Sequence, residues 1–103
     1  MNMQTANVMA PPPPKRIEEM KLPRVMMRDI LLKTMFRKNV DMVTDISKAI
    51  CLPSAVTQEL VDMAREQKLL EATGTLNANS GNEMGYQLTD AGKNRALDAL
   101  AQS

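Results

Sequence analysis

An α+β domain is predicted here: three helices, a two-stranded hairpin and a closing helix, behind a Pro-rich tail. Three observations predict it. Apolar residues recur with helical spacing through "RVMMRDILLKTMFRKN", "MVTDISKAI" and "PSAVTQELVDMAREQ", so each segment has one face to bury. The turn-forming cluster "ANSGNE" separates two short β-compatible runs, "LLEATGTLN" and "MGYQL". Thr89 then stands as an N-cap before "DAGKNRALDAL".

The tail is assigned to residues 1–22, where four consecutive prolines in "APPPPKRIEEM" favour polyproline II and forbid a packed helix, and it is expected to be disordered. The domain is assigned to residues 23–103. Pro23 can open the first helix without losing a hydrogen bond. Within that helix Val25, Leu31, Leu32, Met35 and Phe36 fall on one arc, opposite Asp29, Lys33 and Arg37. The second helix is short, with Val43, Ile46, Ala49 and Ile50 on its apolar side. It ends at "CLPS", because Pro53 disfavours helical geometry at Leu52 and can begin the third helix. There Val56, Leu60, Val61, Met63 and Ala64 form the stripe. Two short helices joined so tightly make a helix-turn-helix, and the hairpin that follows is its wing. In the last helix Ala91, Ala96, Leu97 and Leu100 are the apolar set, and Gly92 in its first turn weakens it by about 1 kcal/mol relative to Ala. The whole is a winged helix-turn-helix.

Composition narrows the chemistry. A chain of 103 residues, 44% hydrophobic and 24% charged, suits one small soluble domain with no apolar run long enough for a membrane span. The N-terminus lacks the basic leader and apolar stretch of a signal peptide, and a cytoplasmic location is expected. There is one cysteine and no histidine, so neither an internal disulfide nor the usual metal and acid-base constellations can be built. Cys51 has no base to activate it and is expected to be a buried or half-buried structural thiol. The Met-containing segments are read mostly as core filler. No catalytic, cofactor-binding or metal-binding residue is assigned.

The run "ILLKTMF", then "DISKAICLPSAVTQELVDMAREQKLLEA", then "YQLTDAGKNRALDAL" resembles the winged-helix region that precedes the nucleotide-binding module in a group of bacterial AAA-type ATPases. The likeness spans about residues 25–103. A looser likeness, through "LTDAG", is to regulators of the multiple-antibiotic-resistance type. The first resemblance implies a non-catalytic N-terminal module of an ATPase. The chain itself has no "GxxxxGK[ST]" to cradle phosphates, and "TGTLNANSG" lacks the lysine and falls where the wing belongs.

Charge is unevenly distributed. Residues 15–38 hold eight bases against three acids, a balance of +5, whereas residues 39–103 hold five bases against nine acids, a balance of −4. Over residues 52–88 only Arg65 and Lys68 oppose Glu59, Asp62, Glu66, Glu71 and Glu83. A third helix and wing of this sign repel phosphate, and the expected interaction face therefore comprises Ser54, Thr57, Gln58 and Asp62, with Arg24, Arg28, Lys33 and Arg37 on the first helix. The expected function is an interaction or regulatory module that contacts a protein partner or the ATPase ring. Nucleic acid would bind weakly and without selectivity, no membrane is involved, and homo-oligomers would form through the parent ATPase. The alternative is a small DNA-binding transcriptional regulator.

Overall fold

The computed structural model describes residues 12–76 and 84–102. A 3-10 turn, Ile17–Glu19, is followed by α1 (Arg24–Lys38), α2 (Val43–Ile50), α3 (Ser54–Glu66), β1 (Leu70–Leu76), β2 (Met84–Leu88) and α4 (Asp90–Ala101). This is the predicted winged helix-turn-helix, with the wing pairing antiparallel. The wing tip, including Glu83, and the first eleven residues of the tail lie outside the described residues.

Two prolines set helix starts as expected, though from one position earlier than the first turn. Pro23 and Pro53 are the N-caps of α1 and α3, and their carbonyls accept the first helical bonds, from Met27 at 3.1 Å and Thr57 at 2.9 Å. Helix ends are less legible. α1, α2 and α3 each finish at or beside a non-glycine residue in the left-handed region: Asn39, Cys51 and Lys68. The conformation is disfavoured by about 1 kcal/mol for a residue with a Cβ, and the carbonyl partners it provides compensate. Leu52 N–H bonds Ser47 at 3.2 Å and Leu69 N–H bonds Ala64 at 2.9 Å.

The core joins α1, α2, α3, the hairpin and α4 around Met27, Leu31, Leu32, Ile46, Val56, Leu60, Val61, Tyr86 and Ala96. On α1 the buried row is Met27, Leu31 and Met35, with Leu32 beside it. Val25 is 56% exposed and Phe36 38% exposed, so both expected core residues sit on the rim of that row instead. On α4 the buried stripe is Gly92, Ala96 and Ala99 rather than Ala91 and Leu97. Gly92 is needed there because α4 starts against the backbone of Leu69, between α3 and β1. Cys51 is exposed, contrary to expectation, because its left-handed backbone ends α2 at the surface, leaving only a 3.7 Å contact from Sγ to the Lys48 carbonyl.

The wing is fastened at both ends. Beyond its pairing with β1, β2 is bridged through Gly85 to Met42, and Tyr86 N–H bonds the Asp41 carbonyl at 2.9 Å. At the other end Thr89 caps α4: its Oγ1 accepts from Gly92 N–H at 3.0 Å and donates to the Lys68 carbonyl at 2.7 Å. Thr89→Ala removes both bonds and is expected to cost about 1 to 2 kcal/mol, read as a lower midpoint in urea unfolding.

The docked turn lies within the stretch assigned to a disordered tail. Ile17 is 5% exposed and belongs to the core cluster, so the boundary at residue 22 is corrected: an isolated apolar residue ties part of the tail down.

Candidate interaction face

α3 turns Val56, Thr57, Leu60, Val61 and Ala64 inward. Its outward side runs from Ser54 through Gln58 and Glu59 to Asp62 and Glu66. Glu59, Asp62 and Glu66 follow one another at i, i+3 and i+7, which aligns three carboxylates along one strip.

Thr57 is a correction. It was expected on the interaction face, but it is fully buried, and its Oγ1 donates to the Pro53 carbonyl at 3.0 Å. A hydroxyl that bonds back to the preceding turn can enter the core without an unsatisfied donor. The other three α3 candidates are accessible. Ser54 is exposed, 3.5 Å by Oγ from the Ser47 hydroxyl of α2, and half-buried Gln58 donates from Nε2 to exposed Asp62 at 3.0 Å.

The four α1 bases do not form one surface. Arg24 and Arg37 are exposed. Arg28 is largely committed: Nη2 and Nε reach Asp29 Oδ1 at 3.0 and 3.2 Å, and Nη1 donates to Gln67 at 3.1 Å. Arg95 of α4 approaches the same carboxylate at 3.7 Å, so this cluster joins α1, α3 and α4 rather than offering charge to a partner. Lys33 is half-buried. Helical spacing places Arg24 and Arg28 on one side of α1, Lys33 and Arg37 on the other.

The wing side of α3 is acidic. An open groove between α3 and β1 is lined by Asp62, Arg65, Glu66, Leu70, Glu71 and Ala72. Arg65 is its base, and its guanidinium lies 5.6 Å from the centre of the Tyr86 ring, a cation–π distance.

Sequence reasoning missed the most organised polar contact on α3. Glu59 accepts the Ile17 backbone N–H at 2.7 Å and Arg16 Nε at 3.2 Å, although these partners are some forty positions upstream. The Ile17 N–H is the main reason the Glu59 carboxyl is held below its ordinary range; partial burial opposes this, while Arg16 and then Arg24 reinforce it. Only the lone apolar residue in "KRIEE" hinted at a docked turn. Because the carboxyl is more acidic when folded than when unfolded, its stabilising effect is complete above its ordinary value of 4.5 and is lost as pH falls through the depressed one. The Ile17 amide is therefore expected to lose hydrogen-exchange protection under acid while core amides of α3 keep theirs.

Among the described residues no group of His, Cys, Asp and Glu could hold a metal ion, and no helix is long and apolar enough to cross a membrane.

No protein-family model matches the sequence, and no curated protein does. Solved structures do match. MepR, a transcription regulator of the Staphylococcus aureus multidrug efflux pump MepA, superposes with a TM-score of 0.63 at 15% identity over 74% of this chain and 55% of its own. ZitR of Lactococcus lactis superposes at 0.64 and 13% identity, over 97% and 62%. A MarR family regulator from Neisseria meningitidis superposes at 0.60 and 20% identity, over 74% and 54%. The chain thus spans about half to three-fifths of the length of these proteins. At such identities the likeness establishes the winged-helix fold, and it does not point to the ATPase resemblance.

Proposed function

We propose that this chain is the recognition module of a winged-helix transcriptional regulator, presenting the N-terminal half of α3 to duplex DNA. One observation carries the reading beside the shared fold: the acids of α3 are confined to Glu59 and beyond. Ser54, Ala55 and Gln58 precede them, next to Ser47 and exposed Lys48 of α2. The start of a recognition helix is the part that reaches base edges, and its free amides and dipole favour phosphate. With so few bases nearby, affinity depends on few phosphate contacts and should be modest. Fluorescence anisotropy with random and selected duplexes tests this. Selective binding at ~0.15 M salt, weakened by Gln58→Ala and Lys48→Glu, is the expected result. Binding that ignores sequence and both substitutions would discard it.

A second reading, an N-terminal interaction module of a bacterial AAA-type ATPase, is favoured by the groove between α3 and β1. Asp62, Glu66 and Glu71 outnumber Arg65 there and suit a basic protein surface better than a phosphate. Asp62→Lys separates the two readings, since it should strengthen DNA binding and weaken a basic protein partner.

A further inference from the structure

Two hydrogen bonds fix which backbone groups of the hairpin point inward and which point out. Thr89 N–H bonds the Leu69 carbonyl at 3.1 Å, across the ladder, whereas Tyr86 N–H turns away from β1 to the Asp41 carbonyl at 2.9 Å. Tyr86 stands opposite Ala72, and Leu88 opposite Leu70. Opposed residues of an antiparallel ladder alternate between bonded and non-bonded pairs, so the N–H and C=O of Leu70 and Ala72 also turn away from β2, toward the other edge of β1. Among the described residues no hydrogen bond takes them up there. The regular stretch is short, because the register shifts between Ala72 and Leu76, where Gly74 has a φ of 75°.

That edge is the groove facing α3. Leu70 and Ala72 line it from one face of the strand and Glu71 from the other, and residues of both faces meet only along an edge. Across it α3 sets Asp62 and Glu66. The described partners of two of these acids are neutral: Asp62 accepts from Gln58 at 3.0 Å and Glu71 from Gln87 at 2.7 Å, so neither charge is cancelled. Arg65, the base of the lining, is held over the Tyr86 ring. An open strand edge invites another chain, and its charge selects which one. A second copy would bring its own Asp62, Glu66 and Glu71 against these. An extended basic segment brings the opposite sign.

We propose that the free edge of β1 docks an extended basic peptide of a partner protein, paired through the N–H and C=O groups of Leu70 and Ala72. Its Lys or Arg side chains lie against Asp62 and Glu66 on one face and beside Glu71 on the other. The site includes neither Ser54 nor Lys48 and requires no parent ATPase, so it stands whether or not the start of α3 reads DNA.

A capped hexapeptide alternating Lys and Val, titrated into the full chain at low salt, is the probe, and amide exchange read by NMR is the measure. At saturation exchange should slow on the order of tenfold at Leu70 and Ala72, while Glu71, whose N–H already faces β2, changes little. A copy of the peptide N-methylated at every amide keeps the charge and loses its backbone donors; it should bind on the order of tenfold more weakly. Asp62 and Glu66 are exposed, so Asp62→Lys with Glu66→Lys keeps the fold. That chain should bind the Lys–Val peptide on the order of tenfold more weakly and prefer a Glu–Val counterpart. No binding of the Lys–Val peptide, equal affinity for its N-methylated copy, or uniform slowing across residues 70–72 would overturn strand pairing. Undiminished binding by the doubly substituted chain would overturn the selection by charge. Slowed exchange at Leu70 and Ala72 in the peptide-free chain as its concentration rises would assign the edge to a second copy and overturn the proposal.

Discussion

Gly92→Ala is expected to destabilise the domain by about 3 kcal/mol, although alanine is the better helix former. Gly92 lies in the first turn of α4, buried against the end of the third helix and the hairpin. A Cβ there would be driven into the backbone carbonyl of Leu69, with Leu88 Cδ2 at 3.3 Å closing the remaining side. Neither neighbour can yield cheaply. The Leu69 carbonyl also accepts Thr89 N–H at 3.1 Å, and the adjacent Lys68 carbonyl accepts the Thr89 hydroxyl, so a displacement of Leu69 opens the joint that caps α4. The gain from helix propensity, about 1 kcal/mol, is smaller than the overpacking it provokes. For a domain of this size the net loss corresponds to a fall of roughly 15 °C in Tm, measurable by circular dichroism. A variant melting at or above the parent temperature would show that α4 can shift away from Leu69 at little cost.

Thr57→Arg is expected to leave the chain unfolded at 25 °C. The side chain is fully buried beside Val56, Leu60 and Val61, and a guanidinium placed there would be driven into the apolar core. Burying an unpaired charge costs several kcal/mol, comparable to the entire stability of a small domain. Thr57→Val separates volume from hydrogen bonding. The Pro53 carbonyl keeps the residue-57 backbone N–H at 2.9 Å, so losing the hydroxyl should cost no more than about 1 kcal/mol. Urea unfolding followed by far-ultraviolet circular dichroism distinguishes the three proteins. A Thr57→Arg chain with the parent midpoint would mean that residue 57 can reach solvent after all.

The proposed function rests on a balance between two local facts. The fold is shared with solved structures of regulators, and the first five residues of α3 carry no acid; the rest of α3 and the facing strand do. Charge counted over the whole of residues 52–88 obscures this, because it averages a neutral end of α3 with an acidic one.

The order and type of the elements follow from the sequence alone, since they depend on interactions within a few residues. Helical periodicity, prolines that begin α1 and α3, two β-compatible runs and the Thr89 cap are all local, and each reappears in the structure. Tertiary packing alone decided the rest. Which arc of α1 is buried depends on where α3 and α4 lie, so Met27 enters the core and Val25 and Phe36 do not. Gly92 reads locally as a weak helix residue, yet the Leu69 carbonyl makes it necessary. Thr57 reads as a polar surface residue and is drawn inward because its hydroxyl finds the Pro53 carbonyl. Cys51 reads as a buried or half-buried thiol and is turned outward by the left-handed end of α2. The bond between Glu59 and the tail was hidden most completely: it joins residues some forty positions apart, and no local pattern encodes which surface carboxylate a distant backbone amide will meet.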